Sequence, residues 1–186
     1  MPIEVEQKHP VADAAALVAE LAERGVAVGP PIVQADQYFA HPCRDFATTD
    51  EALRIRTVGD RSFVTYKGPK LDATTKSRRE LELPLAPCDP DGVGFASLLA
   101  ALGFTVVLSV HKTRRPFVVS CQAMDVHGAL DDVQGLGTFV ELELSADDSG
   151  LDAARRVIAA VAAELGLGPS ERRSYLELLL AAAAGK

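Results

Sequence analysis

Charged and apolar positions alternate along a series of short segments. In Ile3-Glu4-Val5-Glu6-Gln7-Lys8, Ile3 and Val5 fall on one side of an extended strand and Glu4, Glu6 and Lys8 on the other. Arg78-Arg79-Glu80-Leu81-Glu82-Leu83 sets Leu81 and Leu83 against Arg78, Glu80 and Glu82, and Phe139-Val140-Glu141-Leu142-Glu143-Leu144 sets Val140, Leu142 and Leu144 against two glutamates. Arg54, Arg56, Lys67, Lys112 and Arg114 extend the charged rows in other strand-like segments. A half-exposed antiparallel sheet alternates in the same way. Its wet face, however, would also use Thr, Ser, Gln and Asn, whereas these rows are nearly all ionic. That bias predicts a closed or nearly closed sheet with its charges inside.

The remaining pattern fills in the other elements. Residues 10 to 24 read as a helix with a Val11, Ala15, Val18, Leu21 stripe, Pro10 near its start and Gly25 as its stop. A strand at 32–40 carries Gln34, Asp36 and Tyr38 on one face, and 41–50 reads as a loop. Segments 53–58 and 62–67 form a hairpin turning at Gly59-Asp60. Gly68 to Lys76 is a polar connection and a candidate flap. After a strand at 78–85 and a short helix near 93–102, residues 104–114 and 117–126 read as a second hairpin pivoting at Arg115-Pro116. Residues 129–133, the turn Gly135-Leu136-Gly137 and a strand at 138–145 complete the β part. Two alanine-rich helices, 151–165 and 170–184, follow, with Ser149 and Ser170 as N-caps, and offer apolar stripes to the oily strand faces. The expected class is α+β, with residues 1–186 forming one domain.

Composition narrows the partners. No apolar run approaches the ~20 residues that cross a bilayer, and no basic-then-apolar leader opens the chain, so a cytoplasmic protein with no membrane partner is expected. A formal net charge of −7 argues against a nucleic acid duplex as partner. Cys43, Cys88 and Cys121 are too dispersed for a metal site and too few for a disulfide framework. His9, His41, His111 and His127 lack zinc-ligand spacing. A homodimer is the default expectation for assembly.

Enclosing unpaired charge costs several kcal/mol per group, so a mixed interior needs a use. Arginines fork onto phosphate oxygens and lysines meet them as point charges. Glutamates at i and i+2 on facing strands can converge on Mg²⁺ or Mn²⁺. Phosphoryl transfer asks for little beyond positioning and charge neutralisation. The phosphate grip must come from side chains, because the chain has no G-x-x-x-x-G-K-[ST] loop and Gly135-Leu136-Gly137 is too short for a dinucleotide fingerprint. No Ser-His-Asp or Cys-His arrangement is defensible either.

Taken in order, Glu4-x-Glu6-x-Lys8, Leu53-Arg54-Ile55-Arg56, Lys67, Arg78-x-Glu80-x-Glu82, Lys112-x-Arg114, Leu130-Asp131-Asp132-Val133-x-Gly135-Leu136-Gly137 and Glu141-x-Glu143 resemble the CYTH superfamily, the triphosphate tunnel metalloenzymes. Ser174-Tyr175-Leu176 fits the same pattern. The resemblance implies a closed antiparallel tunnel of about eight strands with helices outside. It also implies a divalent-metal-dependent reaction, with Mg²⁺ or Mn²⁺, on a small triphosphate such as tripolyphosphate, ATP or thiamine triphosphate. Carried over by position, Glu4, Glu6, Glu141 and Glu143 bind metal, with Glu80, Glu82 and Asp131 supporting or sharing that role. Lys8, Arg54, Arg56, Lys67, Arg78, Lys112 and Arg114 grip the triphosphate. Lys8 and Tyr38, together with Glu6, are the candidates for the catalytic step. No tryptophan precedes the first arginine pair and no His-Phe pair opens the chain, so neither the vertebrate-type thiamine triphosphatase branch nor the class IV cyclase branch is matched in full. Three activities are carried forward: a triphosphatase as the leading expectation, an adenylyl cyclase making cyclic AMP and pyrophosphate, and a non-catalytic polyphosphate- or nucleotide-binding module.

Overall fold

The computed structural model describes residues 3–69, 78–147 and 149–185. Its strands are β1 (Ile3–Pro10), β2 (Ile32–Ala40), β3 (Ala52–Val58), β4 (Arg61–Lys67), β5 (Arg78–Pro84), β6 (Thr105–Cys121), β7 (Met124–Val133) and β8 (Gly137–Ala146). They close into an antiparallel barrel in the order β1-β5-β4-β3-β2-β6-β7-β8. The helices are α1 (Ala14–Glu23), α2 (Phe46–Thr49), α3 (Val93–Ala101), α4 (Leu151–Glu164) and α5 (Tyr175–Ala184). Closure is completed by a short β1–β5 contact, Ile3 opposite Arg79 and Glu4 opposite Arg78, and turns one row of every strand toward a common interior. Register then decides which charges meet: Glu6 lies opposite Glu143, Lys8 opposite Glu141, Asp36 opposite Arg56, and Arg114 opposite Asp131.

Most of the apolar core lies outside the barrel. Leu17 and Leu21 of α1 and Val157, Ile158 and Val161 of α4 pack on Val5, Val126, Val140, Leu142 and Leu144, the outward rows of β1, β7 and β8. Burying such a side chain contributes roughly 1.5–3 kcal/mol. Leu99 of α3 covers Phe39 and Ile55 on another outer face, whereas Tyr175 of α5 joins Tyr38, Val110, Val133 and Phe139 in a smaller apolar cluster on the inward rows. Among the described residues, no helix is long and apolar enough to cross a membrane.

The expected hairpin at Arg115-Pro116 is not formed. β6 runs unbroken through Pro116, and its turn comes at Gln122-Ala123. Pairing with β2 ends at Ile32 opposite Arg114, and the Pro116 carbonyl accepts from the Gly29 N–H at 2.7 Å. The proline's missing donor therefore points to the side where the ladder has already ended, and it costs the sheet nothing. Gln122 and Ala123 both take positive φ, 50° and 62°, as a two-residue hairpin loop requires, without the Asn or Gly that usually announces one. β7 consequently begins at Met124, ahead of the expected 129.

Other boundaries move for local reasons. Pro10 ends β1, and α1 starts later, capped by Asp13. The 41–50 segment holds the single-turn α2, capped by Asp45. Ser149 donates to Asp147, leaving α4 without a side-chain cap, and α5 starts at Tyr175 rather than near Ser170, closed by a Ser174–Glu177 capping box. From residue 70 onward, the candidate flap falls outside the described residues.

His9 is buried, with its Nδ1 2.7 Å from the Gly168 carbonyl, so the neutral ring donates from Nδ1. Its Nε2 is enclosed without a hydrogen-bond partner. A proton there would bring charge and an unmatched donor into the interior. Burial thus holds the imidazole below its ordinary value, against the pull of the Gly168 carbonyl. The unfolded chain binds that proton more readily, so this contribution to stability is present above ~6.5 and is lost as pH falls below it. Urea denaturation should show wild-type stability declining between about pH 7 and pH 5, and His9→Gln should make the decline shallower. Parallel profiles would contradict this assignment.

Candidate active site

The inward rows enclose a cavity of about 950 Å³ lined by Glu4, Glu6, Lys8, Tyr38, Arg54, Arg56, Lys67, Glu80, Glu82, Lys112, Arg114, Glu141 and Glu143, together with Tyr175. The sequence-predicted site residues thus converge, with two qualifications. Asp131 lies behind the cavity wall, fully buried. Arg78 faces Glu4 in the register, and its side chain lies outside the described structure.

Two carboxylates organise the cations. Asp36 receives Nε and Nη2 of Arg56, each at 2.7 Å, and Nη1 of Arg54 at 3.2 Å. Burial would raise Asp36, yet Arg54 and then Arg56 hold it well below the usual carboxylate range. Two strands further round the barrel, on β7, Asp131 receives Nε and Nη2 of Arg114 at 2.7 and 2.6 Å, Nζ of Lys112 at 2.9 Å and the Tyr175 hydroxyl at 3.0 Å. Arg114 also bonds Glu141. Burial pushes Lys112 down to about 8, and Arg114 adds to that, against the attraction of Glu141 and Asp131.

A third group lies where β1, β4 and β5 meet. Lys67 Nζ stands 2.6 Å from Glu80 and 3.3 Å from Glu4. Burial, and the neighbouring Glu80 and Glu143, push Glu4 up to about 9 in spite of Lys67. Glu80 is held down to about 2 against its own burial, by the hydrogen bond with Glu4 and by Lys67. Glu143 is raised as well, by burial and by Glu6 opposite it. Glu82 accepts from Thr65 at 3.0 Å. Lys8 donates to the Arg173 carbonyl at 2.5 Å, and its ammonium sits 4.0 Å from the centre of the Tyr175 ring. Tyr38 faces Arg54 across the β2–β3 pair.

Asp36 and Tyr175 were not among the sequence-predicted site residues. Asp36 had a signal in the alternating Gln34-x-Asp36-x-Tyr38 row, which matches the charged rows elsewhere. Tyr175 had only its place in Ser174-Tyr175-Leu176, because its reach into the barrel depends on where α5 docks.

Among the described residues, no three His, Cys, Asp or Glu side chains stand ready-gathered around a point where a metal would sit. The donor chemistry nonetheless fits a hard divalent cation: the candidates are carboxylate oxygens from β1, β5 and β8, crowded enough to raise Glu4 and Glu143. Glu4, Glu6, Glu80, Glu82, Glu141 and Glu143 could hold such an ion.

A CYTH domain model matches residues 2–175. This chain belongs to the CYTH family. It is 36% identical over 179 residues to a Methanocaldococcus jannaschii protein provisionally named an adenylate cyclase, covering 95% of this chain and 98% of that one. It is 30% identical to adenylate cyclase CyaB of Aeromonas hydrophila, covering 94% and 87% respectively. The solved PH1819 protein of Pyrococcus horikoshii shares 39% identity and superposes with a TM-score of 0.84, over 96% of this chain and 99% of that one.

Removing Asp36 leaves two guanidinium groups enclosed without their shared counter-charge. Asp36→Ala should lower unfolding stability by about 3–5 kcal/mol in urea denaturation, and adding Arg56→Met should restore part of the loss. An unchanged midpoint in Asp36→Ala would contradict the anchoring role.

Proposed function

We propose that this protein cleaves a phosphoric anhydride bond of a linear triphosphate, with water as the acceptor and a divalent cation, Mg²⁺ or Mn²⁺, assisting. The observation that carries this reading is one enclosed cavity in which Arg54, Arg56, Lys67, Lys112 and Arg114 stand on walls that also bear Glu4, Glu6, Glu80, Glu141 and Glu143. An anion chain laid along the neighbouring Asp36 and Asp131 groups would meet guanidinium forks from both. Because both forks are already oriented by their carboxylates, little ordering remains to be done when the ligand arrives. Lys8 and Lys67 supply further positive charge, and Arg78 is assigned to the same grip from its register opposite Glu4. When bound, the divalent cation would neutralise phosphate charge. Glu4, Glu6, Glu80, Glu82, Glu141 and Glu143 are assigned to hold it, and Asp131 supports the site from behind the wall. Glu6, Lys8 and Tyr38 are assigned to the proton transfers that accompany cleavage.

A second reading is favoured by the names of the relatives at 36% and 30% identity. The same grip on ATP, with the ribose 3′-hydroxyl as nucleophile at the α-phosphorus, gives cyclic AMP and pyrophosphate. Incubation with tripolyphosphate and, separately, with ATP in Mg²⁺ or Mn²⁺ separates the readings by product. Orthophosphate supports hydrolysis, stoichiometric cyclic AMP and pyrophosphate overturn it in favour of the cyclase, and binding without turnover removes both.

Two variants test the roles. Arg56→Ala should raise KM on the order of tenfold, as the loss of a charge-assisted hydrogen bond to phosphate implies. Glu6→Gln should lower kcat on the order of a hundredfold, with a smaller effect on binding. Wild-type kinetics in both would sink the site assignment.

A further inference from the structure

We infer that Tyr175, at the start of α5, is a positioning residue for the polyphosphate grip, holding Lys8 and Lys112 by its ring and Arg114 through its hydroxyl bond to Asp131. The inference rests on the reading of the cavity given above, and it assigns a working part to a helix outside the barrel.

Three contacts place the side chain. Its hydroxyl donates to Asp131 Oδ2 at 3.0 Å, the oxygen that also receives Lys112 and Arg114. Its ring lies under two ammonium groups, Lys8 at 4.0 Å and Lys112 at 5.1 Å from the centroid. The ring also meets Phe139 edge-on, with centroids 5.3 Å apart and planes at 65°. Two like charges near one point repel unless something negative lies between them. The π-face and the Asp131 carboxylate supply it, from opposite ends of the same side chain.

The backbone around Tyr175 is fixed to the strand it serves. Glu171 N–H donates to the Lys8 carbonyl at 2.6 Å, and Lys8 Nζ returns a bond to the Arg173 carbonyl at 2.5 Å. Ser174 then caps α5, its side chain accepting from the Glu177 N–H while Glu177 accepts from the Ser174 N–H. Position 175 is thereby set relative to β1 before any ligand binds. A Leu at this position would fill the same space without offering a π-face or a donor. Both properties of tyrosine are used here, on cations carried by β1 and β6 and on the carboxylate of β7.

A purely packing role and a positioning role make different predictions. Tyr175→Phe keeps the ring, the packing on Phe139 and the cation contacts, and removes only the bond to Asp131. It should melt close to wild type, yet bind sodium tripolyphosphate about three- to tenfold more weakly in titration calorimetry of the full chain. Tyr175→Leu, which also removes the π-face, should lose on the order of thirtyfold. Because the hydroxyl acts through Asp131, Tyr175→Phe in an Asp131→Asn background should cost little beyond Asp131→Asn alone.

Wild-type affinity in Tyr175→Phe and Tyr175→Leu would overturn the inference while leaving the cavity reading intact. Full additivity with Asp131→Asn would also overturn it. Failure of wild type to bind tripolyphosphate would remove the cavity reading and this inference together. Should Tyr175→Leu unfold, the Phe variant and the cycle with Asp131→Asn carry the test.

Discussion

Asp36 and Asp131 each hold two strand-borne cations in a space that solvent barely reaches, and the other charges of the barrel are arranged around those two pairings. Enclosing such groups is unfavourable unless each finds a partner, because the desolvation penalty is several kcal/mol per ion. Cross-strand register supplies the partners: Asp36 faces Arg56 and Asp131 faces Arg114, and in each case a second cation two residues away along the same strand shares the carboxylate. A register slip of one residue would turn those charges outward and bring apolar residues in. The barrel's pairing and the cavity's electrostatics are therefore one constraint.

That constraint explains the placement of the apolar core. With charge filling the interior rows, the outward rows of β1, β7 and β8 must be covered, and α1 and α4 cover them with Leu17, Leu21, Val157, Ile158 and Val161. The helix α5 does more than cover a wall. Its first residue reaches the shared carboxylate of β7 and packs on apolar residues of the inward rows, so packing and charge meet at Tyr175.

Much of this was legible in the sequence, for a physical reason. Side-chain alternation has a period of two, and ionic residues at nearly every polar position distinguish an enclosed face from a wet one. The strands carrying Glu4, Arg54, Lys67, Glu80, Lys112 and Glu141 follow from that alone. The Gln122-Ala123 turn was hidden because neither residue belongs to the types that tolerate positive φ easily, and Pro116 looked like a break because its unneeded N–H depends on where β2 stops. Asp36 carried a signal, since it alternates with Gln34 and Tyr38, but its importance comes from facing Arg56 across a strand pair. Tyr175 is decided by docking of a helix far along the chain from the β7 carboxylate it meets, and such contacts leave no local trace.

The central claim is that opposite charges line the inside of this barrel in order to receive a polyphosphate. A crystal structure of the protein grown with tripolyphosphate and Mn²⁺ tests it most directly. The account predicts anion density within the barrel, against Arg54 and Arg56 of β3 and Lys112 and Arg114 of β6, with an anomalous manganese peak against the glutamates of β1 and β8. Phosphate density confined to the outer surface, with the inner carboxylates and cations still paired only to one another, would contradict it.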